Sequence, residues 1–224
     1  MKGKISEIFE SVQGEGIFLG EPQLFVRLFG CNLNCSFCDT RQQHCVEYTP
    51  EELFAVLKHY RGKYHSIVFT GGEPLLQSDF LKRVMLLTRS DGYKNYLETN
   101  GTLTEELRDV IDCVDIVAMD FKLPSSTGFN GSIWEKHREF FKIATSQFVF
   151  LKSVVCSATT EEDIKQAIDL IKQIDRCAVF VLQPNSFEGR VLLQDKMESF
   201  RDMCQKENVV TCIIPQIHKL IGAR

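Results

Sequence analysis

The chain has 224 residues, of which 44% are hydrophobic and 25% charged, and its formal net charge is −4. This is the composition of an ordinary globular protein, and the length suits one domain over residues 1–224. No basic block stands out, which argues against a nucleic-acid partner. The apolar runs are too short to span a bilayer, and MKGKISEIFE lacks a signal-peptide core, so we expect a cytoplasmic protein without a membrane anchor.

Short apolar runs rich in β-branched and aromatic residues recur along the chain and predict strands. The first run, residues 5–9, is interpreted as an extra edge strand. The remaining predicted strands are residues 24–28, 67–69, 96–98, 116–121, 148–152, 179–182 and 209–214.

Helical patterns lie between these strands. Thr49 and Pro50 are followed by Glu52, a combination that marks the start of a helix. In residues 161–174 the apolar side chains recur at helical spacing. Alternation of strands and helices predicts an α/β protein with a parallel sheet. The number of strands favours an incomplete, TIM-like (β/α) barrel over a flat, doubly wound sheet.

Polar and glycine-rich segments follow the ends of the predicted strands. In a parallel barrel these ends lie on one face, which is where active sites are built. The sequence therefore predicts an active site at that face. The segments are the cysteine loop 30–40, TGGEP at 70–74, TNG at 99–101, KLPSS at 122–126, QPNS at 183–186 and PQIH at 215–218.

Three of the nine cysteines, Cys31, Cys35 and Cys38, lie close together in CNLNCSFCDT. An odd number of cysteines in a chain expected in the cytoplasm argues against a disulfide framework. Structural zinc and ordinary iron–sulfur clusters take four protein ligands. Three thiols therefore either recruit a fourth ligand or leave one metal position open, and the open iron of a four-iron cluster can hold a small molecule.

Two other arrangements fit the same cysteines. Their spacing also places them on one helix face, although the glycine, asparagine and serine residues around them favour turns. A zinc site with His44 or Cys45 as the fourth ligand is the second alternative. The scattered cysteines elsewhere are expected to pack as small hydrophobic side chains.

The cysteine spacing, the adjacent Phe37 and the GGEP segment at 71–74 together resemble the radical S-adenosylmethionine (SAM) superfamily. Further motifs are more specifically similar to the 7-carboxy-7-deazaguanine synthase family and extend over nearly the whole chain. They are SVQGEG at 11–16, FVRLFGCNLNCSFCDT at 25–40, ETNGT at 98–102, KLPSS at 122–126 and PQIHK at 215–219.

This resemblance implies a radical SAM lyase on an incomplete barrel, with a [4Fe–4S] cluster, SAM and Mg²⁺ as cofactors. Reductive cleavage of SAM would give a 5′-deoxyadenosyl radical that takes a hydrogen atom from the substrate. The implied substrate is 6-carboxy-5,6,7,8-tetrahydropterin, whose ring contracts to 7-carboxy-7-deazaguanine with release of ammonia, in the pathway to queuosine and other 7-deazapurines. A homodimer and an electron donor such as flavodoxin or ferredoxin are also implied.

The resemblance also implies roles for individual residues. Cys31, Cys35 and Cys38 would hold the cluster, and Thr40 would offer a hydroxyl to Mg²⁺. Arg27 would pair with the substrate carboxylate, because a planar guanidinium matches a carboxylate. The residues expected to contact SAM are Phe37, Cys38, Asp39, Gly72, Glu73, Asn100, Asp120, Phe121, Lys122, Gln183, Pro184, Asn185 and Ser186. Those expected to contact the substrate are Val12, Gln13, Gly14, Glu15, Arg27, Thr70 and His218.

Several of these residues also have an ordinary structural interpretation. Arg27 lies in an alternating strand and could face outward, Thr40 could cap a turn, and Glu15 could be solvated. The glycines at 71–72 admit a ligand close to the backbone or simply form a tight turn. His218 is the histidine favoured for the site, with a structural role as the alternative.

Two other functions compete with the lyase. Where many members of the family have Ser-Pro-Lys, this chain has Asp120-Phe121-Lys122, as in glycyl-radical activases. An activase has no need of SVQGEG and Arg27, which suit a small planar acid. A non-catalytic iron–sulfur or zinc module is the alternative from another class, and it does not require polar segments at so many strand ends.

Overall fold

One nine-stranded sheet runs through the protein in the computed structural model, which describes residues 1–38, 42–60, 62–128, 133–217, 219 and 222. The strand order is β3-β1-β2-β4-β5-β6-β7-β8-β9. β1 is antiparallel to both β2 and β3, and every pair from β2 to β9 is parallel. The strands are β1 Gly3–Val12, β2 Pro22–Leu28, β3 Val46–Tyr48, β4 Ser66–Gly71, β5 Asn95–Thr99, β6 Ile116–Asp120, β7 Phe148–Val155, β8 Phe180–Pro184 and β9 Thr211–Ile213.

Helices connect the parallel strands. Thr49 and Glu52 form the predicted capping box, each side chain bonding the other residue's backbone N–H, at 3.2 and 2.8 Å. None of the helices among the described residues is both long and apolar enough to cross a membrane. The α-helices are α1 Pro50–Leu57, α2 Ser78–Ser90, α3 Thr104–Val110, α4 Pro124–Thr127, α5 Ile133–Ala144, α6 Glu161–Ile174 and α7 Arg190–Lys206. Short 3₁₀ helices cover Gly16–Phe18, Pro74–Gln77 and Ile111–Cys113.

The sheet buries apolar side chains on both faces, as parallel sheets do. The outer face packs against the helices in the main core. The inner face carries a smaller apolar layer, to which Phe18 adds its ring 5.8 Å from that of Tyr96. Alternate residues of each strand point to opposite faces, which produces the two layers. The strand members of the inner layer are Phe9, Phe25, Val68, Tyr96, Ile116, Ala118, Phe150 and Val181.

The segments that follow β1 and β9 contact each other, although their strands do not pair. The backbone N–H of Ile217, after β9, donates to the carbonyl oxygen of Gly14, after β1, at 3.0 Å. Gln216 Nε2 likewise donates to Glu15 Oε1 at 2.7 Å. Among the described strands no ladder joins β9 to β1, β2 or β3, so the sheet is strongly curved but open. The predicted incomplete (β/α) barrel is confirmed.

The sequence-based strand assignment was wrong at the first edge. Residues 5–9 were expected to form an edge strand, but β1 lies between β2 and the short β3, which forms the edge. β3 was not predicted because Val46 and Glu47 are exposed and give no buried apolar pattern. The other predicted strands match observed ones, although their ends differ by a few residues.

Candidate active site

A cavity of about 390 Å³ lies at the carboxyl ends of the parallel strands. Its wall is a ring of polar side chains, one from each of six neighbouring strands. Each of these residues follows an apolar inner-layer residue by two positions, so both point to the same face. The strands therefore supply an apolar floor and, one step nearer their carboxyl ends, a polar wall. The polar residues are Arg27, Thr70, Glu98, Asp120, Lys152 and Gln183.

The loop after β2 carries the cysteine motif to the same cavity, which Cys31, Cys35 and Cys38 all line. Hydrogen bonds tie this loop to the segments that follow β5 and β6. Asn100 Nδ2 donates to Asn32 Oδ1 at 2.8 Å, and Ser36 Oγ donates to the carbonyl oxygen of Ser126 at 3.2 Å. The three thiols therefore lie on a loop and face the cavity. The alternative that places the three cysteines on one face of a helix is wrong.

Gly71 and Gly72 let the end of β4 pack directly against the start of the cysteine loop. A Cβ on Gly71, whose φ is +135°, would lie 2.1 Å from the carbonyl oxygen of Leu28. A Cβ on Gly72 would lie 2.0 Å from the carbonyl oxygen of Gly30. The backbone N–H of Glu73 donates to that same oxygen at 2.8 Å. The space left by the absent side chains is thus occupied by protein backbone, although Gly72 also lines the cavity.

The donor set suits a multinuclear cluster. Cys31, Cys35 and Cys38 all line one cavity. A four-iron cluster bound by three cysteines places each thiolate on a different iron, so its ligands need only surround a common space. Burial raises the pKa of Cys31 and of Cys35, and binding a cluster there would release their protons.

Two buried acceptors in the cavity wall lack partners among the described residues: Asp120 Oδ1 and Gln183 Oε1. An unpaired buried acceptor is costly, so both atoms fit a ligand that offers hydrogen-bond donors. The other oxygen of Asp120 lies 2.8 Å from Lys122 Nζ, which itself lies 5.4 Å from the centroid of the Phe37 ring. Burial alone would lower the pKa of Lys122, but the negative charges of Asp120 and Cys35 together outweigh it, and the net shift is upward.

Glu98 is fixed by two neighbours on the cavity wall. Thr70 Oγ1 donates to Glu98 Oε2 at 2.8 Å, and Gln13 Nε2 donates to Glu98 Oε1 at 3.1 Å. Gln13 also donates to Gln23 Oε1 at 2.9 Å, and Gln23 in turn donates to Ser66 Oγ at 3.0 Å. This chain of side chains presents one oriented carboxylate to the cavity.

Lys152 forms a buried ion pair with Glu15, which also accepts a hydrogen bond from Gln216. Only 12% of the Lys152 side chain is exposed. Burial opposes its charge, but the carboxylates of Glu15, Asp120 and Glu98 raise its pKa far above the ordinary value. Lys152 therefore stays an ammonium ion, and the Glu15 pair holds the loop after β1 across the cavity.

Arg27 also reaches the cavity, with 24% of its side chain exposed. Its Nε lies 3.4 Å from Glu7 Oε2, and its guanidinium carbon lies 5.5 Å from the centroid of the Phe9 ring. Phe9 is itself stacked on Phe25. The guanidinium is thus supported from one side by an aromatic stack and a carboxylate, at the edge of the cavity.

Two buried ionisable groups lie behind the cavity wall. The Glu73 carboxylate accepts hydrogen bonds from Leu75 N, Thr99 Oγ1 and Asn100 N at 3.1, 2.9 and 2.7 Å. Burial raises its pKa to about 7 despite these three donors. Burial lowers the pKa of His137 to about 4, so its ring is neutral. Both groups hold the turn after β5 from behind.

The structure brings most of the predicted site residues to the cavity, but not all. Glu73 and Phe121 are fully buried behind the wall, and neither Pro184 nor Ser186 lines the cavity. The predictions for Asp39, Thr40 and His218 lie outside the described residues. Among the cavity residues that the sequence interpretation missed are Glu98, Lys152, Gln216 and Lys219. A charged residue inside an otherwise apolar strand was the available signal for the first two.

The opposite pKa shifts of Glu73 and His137 predict two pH dependences of stability that oppose each other in wild type. A carboxyl with its pKa raised from 4.5 to about 7 destabilises the fold as pH rises through that interval. A histidine with its pKa lowered from 6.5 to about 4 destabilises it as pH falls through that interval. In wild type the two effects oppose each other between these values. Each shift is worth roughly 3 kcal/mol.

Urea unfolding of the cluster-free protein at several pH values tests this. Relative to wild type, Glu73→Gln should gain stability as pH rises from 4.5 to 7, because the penalty of ionising Glu73 is gone. His137→Gln should gain as pH falls from 6.5 to 4.5. Stability curves for both variants that run parallel to wild type would contradict the assignment.

Comparison with known proteins agrees with this site. The Radical SAM superfamily model matches residues 26–185. A protein of Methanothermobacter thermautotrophicus named 7-carboxy-7-deazaguanine synthase is 38% identical over 100% of this chain and 99% of its own length. A protein of Geobacter sulfurreducens with the same name is 34% identical over 98% and 97%.

Among solved structures, the crystal structure of QueE from Escherichia coli superposes with a TM-score of 0.64 at 22% identity. The match covers 95% of this chain and 93% of that one, and it confirms the incomplete-barrel fold. The sequence relatives extend over the full chain at identities that establish a family. The chain belongs to the radical SAM superfamily and, within it, to the 7-carboxy-7-deazaguanine synthase family.

Proposed function

We propose that this chain converts 6-carboxy-5,6,7,8-tetrahydropterin to 7-carboxy-7-deazaguanine with release of ammonia, in queuosine and 7-deazapurine biosynthesis. The observation that carries the proposal is the single cavity shared by three cysteine thiols and a ring of polar side chains that includes Arg27. The thiols can bind a cluster that in turn holds SAM. Arg27, in the ring of polar side chains, can pair with a carboxylate. Relatives named for this reaction match the whole chain.

The cluster would be held by Cys31, Cys35 and Cys38, leaving one iron for SAM. When bound, these cofactors supply a carbon-centred radical that abstracts a hydrogen atom. The protein's task is to bind, to orient and to exclude water. The unpaired acceptors Asp120 Oδ1 and Gln183 Oε1 suit hydroxyl or amino donors of SAM. The other residues that we assign to SAM are Phe37, Gly72, Asn100, Lys122 and Asn185, all in a cavity wall.

The substrate would lie at the side of the cavity formed by β1, β2 and the loop between them. Arg27 supplies the positive charge for its carboxylate. Gln13 and Thr70 fix the orientation of Glu98, whose carboxylate can accept from ring N–H groups. Val12, Gly14 and Glu15 complete this side of the wall.

The experiment that tests the function is anaerobic turnover. Protein reconstituted with iron and sulfide is incubated with reductant, SAM and 6-carboxytetrahydropterin, and 7-carboxy-7-deazaguanine is sought by mass spectrometry. About four irons and four sulfides per chain are expected. SAM cleavage without the deazaguanine product would favour an activase, and one zinc per chain without SAM cleavage would favour a binding module.

The finer assignments of partners are also proposals. The resemblance of the chain to its family supports a homodimer, a flavodoxin or ferredoxin as the electron donor, and a cytoplasmic location. Light scattering of the purified protein tests the dimer, and a mass of one chain would count against it. Turnover with each purified donor in place of a chemical reductant tests electron transfer.

The first prediction of this proposed function concerns the cluster. Alanine at Cys31, Cys35 or Cys38 should remove the brown chromophore and all turnover, because each thiol would hold a separate iron. The controls are Cys45→Ala and Cys177→Ala, which remove exposed cysteines outside the cavity. Iron content per chain is the measurement. Loss of iron in Cys45→Ala with retention in one of the three would show that the ligand set is wrong.

The second prediction concerns Arg27. Removing one partner of a desolvated charge pair typically costs about 2–5 kcal/mol. Arg27→Ala should therefore raise the KM for the carboxypterin by at least tenfold, since about 1.4 kcal/mol corresponds to a factor of ten. Arg27→Lys should recover activity only partly, because lysine keeps the charge but loses the planar fork.

Arg83→Ala, at an exposed arginine 4.0 Å from Glu51, is the matched control and should leave the KM unchanged. SAM cleavage in the absence of substrate should survive in all three variants, since the cysteine loop is untouched. A wild-type KM and kcat in Arg27→Ala would show that Arg27 does not bind the substrate.

The third prediction concerns magnesium. We propose that Mg²⁺ binds at Thr40 beside the substrate carboxylate, because Mg²⁺ prefers hard oxygens and often uses few protein ligands. Thr40→Ala should weaken the dependence of turnover on Mg²⁺ while leaving the iron content intact. An unchanged magnesium titration would exclude Thr40 as a ligand.

A further inference from the structure

His137 is a fully buried histidine that the proposed function leaves unexplained. It lies on α5, and its ring centroid is 5.3 Å from that of Phe121 and 5.9 Å from that of Trp134. An imidazole in such an apolar setting is costly unless both nitrogens are hydrogen-bonded. The partners of the two nitrogens therefore indicate what the residue does.

The two ring nitrogens join the loops that follow adjacent strands. Nδ1 lies 3.0 Å from the carbonyl oxygen of Gly101, after β5, and Nε2 lies 3.0 Å from the backbone nitrogen of Lys122, after β6. A carbonyl oxygen only accepts and a backbone N–H only donates. Nδ1 must therefore carry the proton and Nε2 must accept, which selects one neutral tautomer.

Gly101 makes this contact possible. Its φ of +68° lies in the left-handed region, and a Cβ there would stand 3.1 Å from His137 Nδ1 and 2.6 Å from Met119 Cε. Any larger residue would be strained by its backbone conformation and would crowd the histidine and the methionine. The glycine of the TNG segment is thus matched to the buried imidazole.

The backbone N–H that His137 binds belongs to a residue of the cavity wall. Lys122 extends its ammonium group to Asp120, at 2.8 Å, and over the ring of Phe37. Phe37 stands in the cysteine loop between Cys35 and Cys38. The backbone position of Lys122 consequently sets a contact between β6 and the cysteine loop.

We propose that His137 is a positioning residue for SAM: Nε2 anchors the backbone of Lys122 and so holds the Lys122–Asp120 pair and Phe37 in the arrangement that binds SAM. The inference rests on the proposed function, because that function assigns SAM to these residues. His137 itself does not line the cavity, so it would act on SAM through the backbone that it binds.

Two conservative substitutions separate the two hydrogen bonds. In His137→Gln the amide oxygen can stand where Nε2 stands and accept from Lys122, whereas the bond to Gly101 is lost. In His137→Asn the amide nitrogen can stand where Nδ1 stands and donate to Gly101, whereas the Lys122 N–H loses its acceptor. His59→Asn, at an exposed histidine of the segment after α1, is the matched control.

Two measurements are made on each variant. The affinity for SAM is measured by equilibrium dialysis on anaerobically reconstituted protein, and hydrogen exchange of the Lys122 amide is measured on cluster-free protein. We expect His137→Asn to bind SAM about tenfold more weakly and to exchange the Lys122 amide faster, because the Lys122 N–H then lacks the acceptor that holds its backbone in place. His137→Gln should restore both values towards wild type.

Equal SAM affinity and equal Lys122 exchange in wild type and His137→Asn would overturn the proposal. Equal losses in His137→Asn and His137→Gln would also overturn it, since the Lys122 contact would then not be the one that matters. If wild type itself fails to bind SAM, the proposed function fails instead, and the exchange of Lys122 still decides whether Nε2 anchors that amide.

Discussion

The close approach of two strand ends determines where the chemistry of this protein can take place. Gly71 and Gly72 lie so near the carbonyl oxygens of Leu28 and Gly30 that any side chain on either glycine would collide with backbone. The parallel ladder of β2 and β4 therefore continues into the first residues of the cysteine loop. Because the loop is seated on the sheet in this way, its thiols face the inner surface of the curved sheet.

A second constraint is the balance of charge on the polar wall. Several ionisable groups are withdrawn from water there, and each would be costly alone. Lys152 is compensated by Glu15 and Lys122 by Asp120, while the oxygens of Glu98 accept from neutral donors. These charged groups can therefore be buried in the wall without preventing the chain from folding. One oxygen of Asp120 has no partner among the residues that the structure describes, and it marks where a ligand can complete the site.

Much of this could be predicted from the sequence, because the relevant signals are local. Alternation of apolar runs and helical patterns indicated the parallel strands. The polar and glycine-rich segments that follow those strands, including the cysteine loop, indicated the face that carries the site. β3 was not predicted because it forms by pairing with β1, which is a tertiary contact. Residues 46–48 have no buried apolar pattern that would indicate a strand.

The roles of individual wall residues were harder to predict. Glu73 was expected to contact SAM because it follows two glycines in a known motif. Its side chain instead turns inward to cap backbone N–H groups after β4 and β5, a choice that depends on the position of a neighbouring strand. Lys152 was overlooked because a lysine in a strand is usually an exposed residue. Its importance depends on Glu15, which lies far away in sequence.

His137 lies on a helix outside the cavity, yet it fixes the spacing of two loops that form the cavity wall. The loops after β5 and β6 are adjacent because their strands pair, but pairing ends where the strands end. Beyond that point something else must fix the distance between the loops, and a rigid ring with a donor on one side and an acceptor on the other does so. A flexible side chain would lose more rotamer entropy in the same position. Burial keeps the ring neutral, so both hydrogen bonds persist over the pH range in which an exposed histidine would titrate.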